Sequence, residues 1–344
     1  SMYSLGQILG VAILAPSTGY TILGFRLPAF DLGIHGLVYG VIIGAFLHLL
    51  IQVPGLIQHG FFWEPRLRMK SEGVKQVLTL LGPRVLTVFF IQMFFIIRDN
   101  LASGMGEGAV TALNLGWFIM QVPESLVGTA LGIAILPTIS AAISRGKEED
   151  FKNGINVSIR ALLSLTIPIA VFLSIGLLPL TEVAFNYSAE DTQRVVLASQ
   201  IYLVGMVGHV LLEIASRAFY AQQNPKVPLI AAGLNAIGYL VISQILANTI
   251  GFSGIAWANT IVFTTESILL LVVLNRQYKG ILNVGKTLAR VTIASTILGA
   301  GFYFFLNNVQ MSSSLIRSIT GMGAGMLIII IIMWKEISPI LKMK

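Results

Sequence analysis

The amino-acid sequence predicts an all-α integral membrane protein with about ten transmembrane helices. Only 11% of its 344 residues are charged and 55% are hydrophobic, whereas soluble domains usually carry about 25% charged residues. Its apolar stretches are continuous and reach the roughly 20 residues that a helix needs to cross the hydrocarbon core. They lack the alternating pattern of transmembrane β-strands, which excludes a β-barrel.

Ten segments are long and apolar enough to cross a bilayer. They cover 5–23, 35–53, 75–97, 109–140, 157–180, 195–220, 228–248, 253–274, 287–307 and 312–334. The fourth segment is too long for one straight crossing and contains Pro123 and Pro137. We therefore expect it to kink, to tilt or to extend into the cytoplasm.

Lys and Arg residues are distributed unevenly between the predicted loops. Fifteen of the 22 lie in the loops after even-numbered spans or in the C-terminal tail, and three lie in the loops after odd-numbered spans. Under the positive-inside rule, this distribution places the even loops and both termini in the cytoplasm. The formal net charge of +7 is then explained by topology and by contacts to anionic membrane lipids, and we expect no nucleic-acid partner.

The sequence contains no recognisable signature of an enzyme or of a metal site. It has no Cys, which excludes disulfides, thiolate chemistry and cysteine metal sites. Its four His residues form no H-E-x-x-H motif, and neither G-x-S-x-G nor a P-loop motif occurs. We therefore predict a protein without catalytic activity, resident metal or cofactor.

Two pairs of predicted helices form an internal repeat. Gly33-Ile-His-Gly-Leu-Val-Tyr-Gly40 aligns with Gly251-Phe-Ser-Gly-Ile-Ala-Trp-Ala258, six helices further along the chain. An even offset gives both copies the same orientation, as in parallel transporter repeats; chance resemblance between glycine-containing helices is the alternative. A real repeat predicts three domains and four further helices before residue 1. The domains are the last two helices of an N-terminal lobe (1–58), a complete six-helix lobe (73–275) and an appended helix pair (286–335).

Polar residues inside the predicted spans are candidates for a substrate site, because charges in hydrocarbon are costly unless they are paired or hydrated. Arg84 lies roughly 14 Å into the third span, near the bilayer midplane. Glu124 and Glu266 reach a similar depth, and Asn114 and Gln121 add polar groups to the fourth span. Two interpretations of these residues are open. They form either a substrate site that faces a cavity or a structural ion pair between Arg84 and a carboxylate.

Three residues on the sixth span are spaced by four and therefore share one face of a helix: His209, Glu213 and Arg217. We expect Glu213 and Arg217 to form a structural ion pair. A proton relay through His209 is the alternative, because histidine titrates near neutral pH. At the external end of the third span, we expect Arg98 and its neighbour Asp99 to lie in a solvated interface.

Two regions of the sequence carry a family resemblance. The first contains Gly82-Pro83, Ile97-Arg-Asp-Asn-Leu-Ala-Ser103, Glu107-Gly-Ala-Val-Thr-Ala-Leu113, Gln121-Val-Pro123 and Ala134-Ile-Leu-Pro-Thr-Ile-Ser140, and the second is Arg217-Ala-Phe-Tyr-Ala-Gln-Gln-Asn-Pro-Lys-Val-Pro228. Together they resemble the MurJ (MviN) family of lipid II flippases, in the superfamily that also contains polysaccharide and multidrug exporters. That family has fourteen helices, and the resemblance implies that the ten predicted spans correspond to its helices five to fourteen.

The resemblance implies transport of a lipid-linked peptidoglycan precursor, such as lipid II, to the outer leaflet of the bacterial cytoplasmic membrane by alternating access. It also implies that arginines in a central cavity bind the pyrophosphate, which suits the fork of a guanidinium. One such arginine is expected where this sequence has Phe118, and Arg84 on the neighbouring span is our candidate substitute. Cell-wall synthesis proteins are the other expected partners.

Some members of the family bind sodium, and the resemblance makes Asp99 and Asn235 candidate ion ligands in this chain. Tyr239 stands one turn later, where another ligand is expected. The coupling ion is therefore expected to be sodium or a proton. Two alternative functions stay open because of Phe118: export of another lipid-linked saccharide or amphiphile, and a non-transporting membrane scaffold that binds synthesis enzymes.

Overall fold

Nine helices in the described part of the chain are long and apolar enough to cross a membrane, which confirms the predicted all-α membrane fold. The computed structural model describes residues 2–19, 21–22, 25–61, 72–311 and 313–341. The chain forms two compact units, Ser1–Val74 and Lys75–Lys344, and each is described by itself. The three predicted domains, 1–58, 73–275 and 286–335, stay predictions.

The first unit begins with an apolar helix that is shorter than the sequence predicts. Its elements are α1 (Met2–Leu9), a π-helical segment (Gly10–Leu14), strands β1 (Thr21–Ile22) and β2 (Phe25–Arg26), α2 (Gly33–Leu50) and α3 (Val53–Gln58). The predicted first span, 5–23, is therefore wrong beyond Leu14. Pro16 has no backbone N–H with which to continue the helical hydrogen bonds, and the chain then enters the antiparallel pair of β1 and β2.

Glycines bring α1 and α2 into direct backbone contact. Gly6 on α1 and Gly10 at the start of the π-helical segment face Gly36, Gly40 and Gly44 on α2, each set spaced by four. A Cβ atom added at Gly10 would lie 2.8 Å from the Cα atom of Gly40, a distance that real side chains do not reach. The two helices therefore pack through the small-residue pattern common in membranes.

The second unit contains α4 from residue 75 onwards and all later helices. They are α4 (Glu72–Ser103), α5 (Ala109–Glu124), α6 (Ala130–Ser144), α7 (Glu148–Phe185), α8 (Ala189–Ala221), α9 (Lys226–Ile250), α10 (Phe252–Gln277), α11 (Gly285–Asn308), α12 (Ser314–Ile332) and α13 (Trp334–Leu341). Helix α8 is central, because it packs against α5, α7 and α10. At its start, the Ser188 hydroxyl caps the helix by accepting a hydrogen bond from the Asp191 amide at 3.1 Å.

The predicted irregularity of the fourth span lies between α5 and α6. A π-helical segment, Ser125–Thr129, joins the two helices directly after Pro123 and Glu124. Proline cannot donate the backbone hydrogen bond that a regular helix needs at this point. Single π-turns inside α-helices often occur at functional sites, so Glu124 lies beside a local change of helix geometry.

Helices α11 and α12 pack against α7, and α13 is held there by a buried carboxylate. Glu336 on α13 is 4% exposed. It accepts hydrogen bonds from Arg160 Nε on α7 at 2.7 Å and from Arg290 Nη1 on α11 at 3.2 Å. Arg160 Nε also contacts the Thr287 hydroxyl at 3.1 Å. We call these four residues the clamp, since they join α7, α11 and α13.

Candidate functional site

A buried arginine near the end of α4 organises the first group of polar side chains. Arg98 is 5% exposed, and its guanidinium lies 5.0 Å from the ring centroid of Phe95. Its Nε donates to Asp99 Oδ1 at 2.9 Å, and its Nη2 donates to the side-chain oxygen of Asn114 on α5. Asn114 Nδ2 in turn donates to the carbonyl of Val110 at 3.0 Å. The guanidinium is thus neutralised by a carboxylate that remains partly exposed.

The expectation of a solvated Arg98 is wrong. The predicted third span ended at residue 97, whereas α4 continues to Ser103. Arg98 therefore lies more than a turn inside the helix and is covered by Asn114 and Phe95. The sequence held a signal for this, because no glycine or proline occurs between Arg98 and Ser103. The helix could therefore have been expected to continue past residue 97 and to include Arg98.

A cavity of about 140 Å³ lies between α4, α5, α8, α9 and α10. Half of its twelve lining residues are Phe, Tyr or Trp: Phe94, Phe95, Trp117, Tyr202, Tyr239 and Phe263. Its other polar or charged lining residues are Arg98, Glu124, His209 and Asn259. The aromatic rings pack mainly edge-on or tilted against one another, as between Trp117 and Tyr202 at 5.6 Å. This cavity is the candidate functional site.

His209 is fixed within the wall of the cavity by three neighbours. Its Nε2 lies 3.2 Å from Asn259 Oδ1, and an amide oxygen only accepts hydrogen bonds, so Nε2 carries the hydrogen in this contact. Its ring packs on Phe263 with centroids 4.1 Å apart and lies edge-on to Trp117 at 5.3 Å. The sequence pointed to His209 through its spacing on the helix. Asn259 was missed, because it lies 50 residues further along the chain.

Glu124 contributes a carboxylate to the cavity. No hydrogen bond or ion pair joins it to any other residue among those that the structure describes. It lies seven residues after Trp117 on α5, which places both on one face of the helix. Gln121, by contrast, has an exposed side chain and does not line the cavity, and Phe118 is 62% exposed.

Glu266 and Asn235 form a separate buried pair between α10 and α9. They are 8% and 5% exposed, and Asn235 Nδ2 donates to Glu266 Oε2. The side-chain oxygen of Asn235 has no partner among the described residues. The two candidate ion ligands thus have different partners, since Asp99 pairs with Arg98 and Asn235 with Glu266.

Glu213 and Arg217 contact each other on α8, with Arg217 Nε donating to Glu213 Oε1 at 3.0 Å. The Arg217 side chain also fills the space beside Gly132 on α6, where an added Cβ would lie 2.9 Å from Arg217 Cδ. This ion pair therefore also connects α8 with α6. Arg84 lies in α4, but its side chain is outside the described residues, so its predicted role stays a prediction.

The fold is that of a multi-helix membrane protein. The chain resembles a structure titled lipid II flippase MurJ in an inward closed conformation, with a TM-score of 0.72, 20% identity and coverage of 88% of this chain and 63% of that chain. It also resembles a MATE transporter of Vibrio cholerae, with a TM-score of 0.55, 18% identity and coverage of 73% and 58%. Both likenesses are of fold alone.

The sequence itself identifies the family. A family model described as lipid II flippase MurJ matches residues 1–320. The lipid II flippase MurJ of Burkholderia cenocepacia is 30% identical over 281 residues, which cover 78% of this chain and 52% of that protein. The chain therefore belongs to the MurJ family, as its motifs predicted, and is a multi-span protein of the bacterial inner membrane. It spans about half the length of the curated relatives that it matches.

Proposed function

We propose that this chain takes part in moving a lipid-linked peptidoglycan precursor, such as lipid II, from the cytoplasmic to the outer leaflet by alternating access. The observation that carries the proposal is the match of residues 1–320 to the MurJ family model. The polar interior of the second unit supports it, because buried charges in membrane proteins commonly mark substrate or ion pathways. The substrate is thus a lipid with an anionic glycan head group, and cell-wall synthesis proteins are the expected partners.

In the proposed orientation, the even loops and both termini face the cytoplasm, and a sodium ion or a proton drives the cycle. The basic loop residues support this orientation. The absence of Cys from the sequence makes it directly measurable. A single cysteine at Glu149 is expected to react with a membrane-impermeant thiol reagent only from the cytoplasm, and one at Glu107 only from outside. The reverse labelling would contradict the orientation.

Growth complementation tests the transport proposal. We expect the native gene that encodes this chain to sustain a strain depleted of its own lipid II flippase. Arg84→Ala is expected to abolish rescue and Arg84→Lys to retain it, since a cation at this depth binds the pyrophosphate. Arg276→Ala is the matched control, because Arg276 is exposed at the end of α10.

The outcomes separate the residue from the function. Full rescue by Arg84→Ala overturns the role of Arg84 and leaves transport intact. Failure of the unaltered gene, when its product is present in the membrane, overturns lipid II transport itself. If the protein is present but never alters the distribution of any lipid tested, the result would favour a non-transporting scaffold over a transporter.

Phe118 favours a second candidate, the export of another lipid-linked saccharide or amphiphile. Its apolar ring is 62% exposed at the position where the family resemblance implies an arginine. A flipping assay in liposomes with a panel of lipid-linked saccharides distinguishes the two substrates. We expect Phe118→Arg to increase the rate for pyrophosphate-linked substrates over others if the second candidate is correct.

A further inference from the structure

The cavity contains one carboxylate whose charge no neighbour compensates. Arg98 on α4 is neutralised by Asp99, and Glu213 on α8 is neutralised by Arg217. Glu124 makes no such pair among the described residues. An isolated ionised carboxylate inside a membrane protein costs several kcal/mol.

The other titratable groups around Glu124 do not supply a positive charge. His209 on α8 is hydrogen-bonded to an amide oxygen and packed between two aromatic rings. Tyr202 on α8 and Tyr239 on α9 contribute phenols to the wall. Glu266 on α10 is bonded to an amide and does not line the cavity. One bound cation at Glu124 would therefore compensate the unpaired charge among the side chains that line the cavity.

A metal cation is a poor match for this cavity. Hard metal ions are bound by six or more oxygen ligands at short distance, whereas eight of the twelve lining residues are aromatic or aliphatic. Asn259 already uses its side-chain oxygen for His209. A proton needs neither a ligand shell nor space of its own.

The cavity also has room for the water that would deliver a proton. One water molecule requires about 10–15 Å³ of such space, and the cavity offers about 140 Å³. Its lining includes a carboxylate, an imidazole and an amide, which can hydrogen-bond to those waters. Buried waters with polar partners are a regular part of protein interiors.

We propose that Glu124 is a proton-binding site of this lobe. A proton passes from bulk water through the cavity waters to a carboxylate oxygen of Glu124 and neutralises it; release reverses the step. The site adjoins the π-helical segment Ser125–Thr129, and Glu124 Oε1 lies 3.5 Å from the position of a Cβ at Gly128. A change in the charge of Glu124 would therefore act on this π-helical segment. That the proton is the coupling ion rests on the proposed transport function; proton binding does not.

Infrared difference spectroscopy tests the site without any substrate. Spectra of the purified full-length protein in lipid vesicles at low and high pH are expected to contain the carbonyl band of a protonated carboxylic acid. Glu124→Gln is expected to remove this band while preserving the size of the side chain. Glu107→Gln is the matched control, because Glu107 is an exposed carboxylate in a loop and should leave the band unchanged.

Trp117 supplies a second readout, because it lines the same cavity as Glu124. The chain has four Trp residues, and replacing Trp63, Trp257 and Trp334 by Phe leaves Trp117 as the reporter. Its emission is expected to change with pH in one step, and Glu124→Gln is expected to abolish that step.

Three results would overturn the proposal. The first is an infrared band that persists in Glu124→Gln. The second is a fluorescence step that persists in Glu124→Gln but disappears in His209→Asn, which would place the proton on His209. The third is suppression of both signals when sodium replaces choline at constant pH, which would indicate a metal-ion site. A flipping assay on the same preparation is scored separately. If the unaltered protein moves lipid but binds no proton at Glu124, the site alone is refuted. If it binds the proton but moves no lipid, transport alone is refuted.

Discussion

The carboxylates of Glu336 and Glu124 both lie within the second unit, but their surroundings differ. Glu336 accepts hydrogen bonds from two arginines on two other helices, so its own charge is compensated by direct partners. Glu124 faces a cavity of which half the lining residues are Phe, Tyr or Trp, and it has no partner among the residues described. Burial alone therefore does not distinguish a structural carboxylate from a functional one. The two are distinguished by whether the carboxylate has hydrogen-bond and ion-pair partners.

The largest expected effect is the loss of Glu336. Glu336→Gln leaves Arg160 and Arg290 without a counter-charge, and breaking a buried ion pair costs about 3–5 kcal/mol. Because both arginine side chains are partly exposed, we expect a loss nearer about 2–4 kcal/mol. Thermal unfolding in detergent micelles measures it, with exposed Glu149→Gln as the control. An unchanged unfolding temperature would show that the clamp is not structural.

The two arginines of the clamp are expected to contribute unequally. Arg160 makes contacts with both Glu336 and Thr287, whereas Arg290 makes one hydrogen bond to Glu336. We expect Arg160→Ala to lower the free energy of unfolding by about 1.5–3 kcal/mol and Arg290→Ala by about 1 kcal/mol or less. Equal losses in the same unfolding assay would contradict this order.

In the cavity, the contact between His209 and Asn259 is expected to have a smaller effect. Asn259→Ala removes one hydrogen bond to a buried imidazole, which costs about 1 kcal/mol. The variant should also make the environment of Trp117 less uniform, because His209 lies edge-on to it. Unfolding and tryptophan emission measure the two effects. If Asn259→Ala lowers the free energy of unfolding as much as Glu336→Gln does, the contact between His209 and Asn259 stabilises the fold as strongly as the clamp.

The smallest expected effect is that of Glu124→Gln on stability. Since Glu124 makes no hydrogen bond or ion pair with the described residues, its replacement by an uncharged side chain of equal size removes no contact. We expect the free energy of unfolding to change by about 0.5 kcal/mol or less at a pH at which the unaltered carboxyl group is protonated, because neither side chain is then charged. A loss above about 2 kcal/mol would reveal a structural partner and end the contrast with Glu336.

Hydropathy predicted most of the fold because the bilayer requires long, continuous apolar helices. It failed where a local rule outweighed composition: Pro16 and the hairpin end the first helix early, and a turn at Met333 separates α13 from α12. Helical spacing predicted the contact between Glu213 and Arg217, since residues four apart share a face.

The remaining site contacts join residues that are distant in sequence. Arg98 and Asn114 are 16 residues apart, Asn235 and Glu266 are 31 apart, and His209 and Asn259 are 50 apart. No periodicity within one helix encodes such pairs, because they depend on how α4, α5, α8, α9 and α10 are rotated against one another. Glu336 was missed for the same reason: alone it reads as a charged residue just outside the membrane.

The glycine contact between α1 and α2 has a consequence for sequence variation. At Gly36 and Gly40, an added Cβ would lie 2.5–2.6 Å from backbone atoms of residues 10, 14 and 15. Because those atoms belong to the backbone, no rotamer change can relieve the clash. A saturation library is therefore expected to retain only glycine at these positions. Exposed neighbours such as Val38 and Ile42 should accept most apolar residues, and this part of the chain would carry a mutational signature with a period of four.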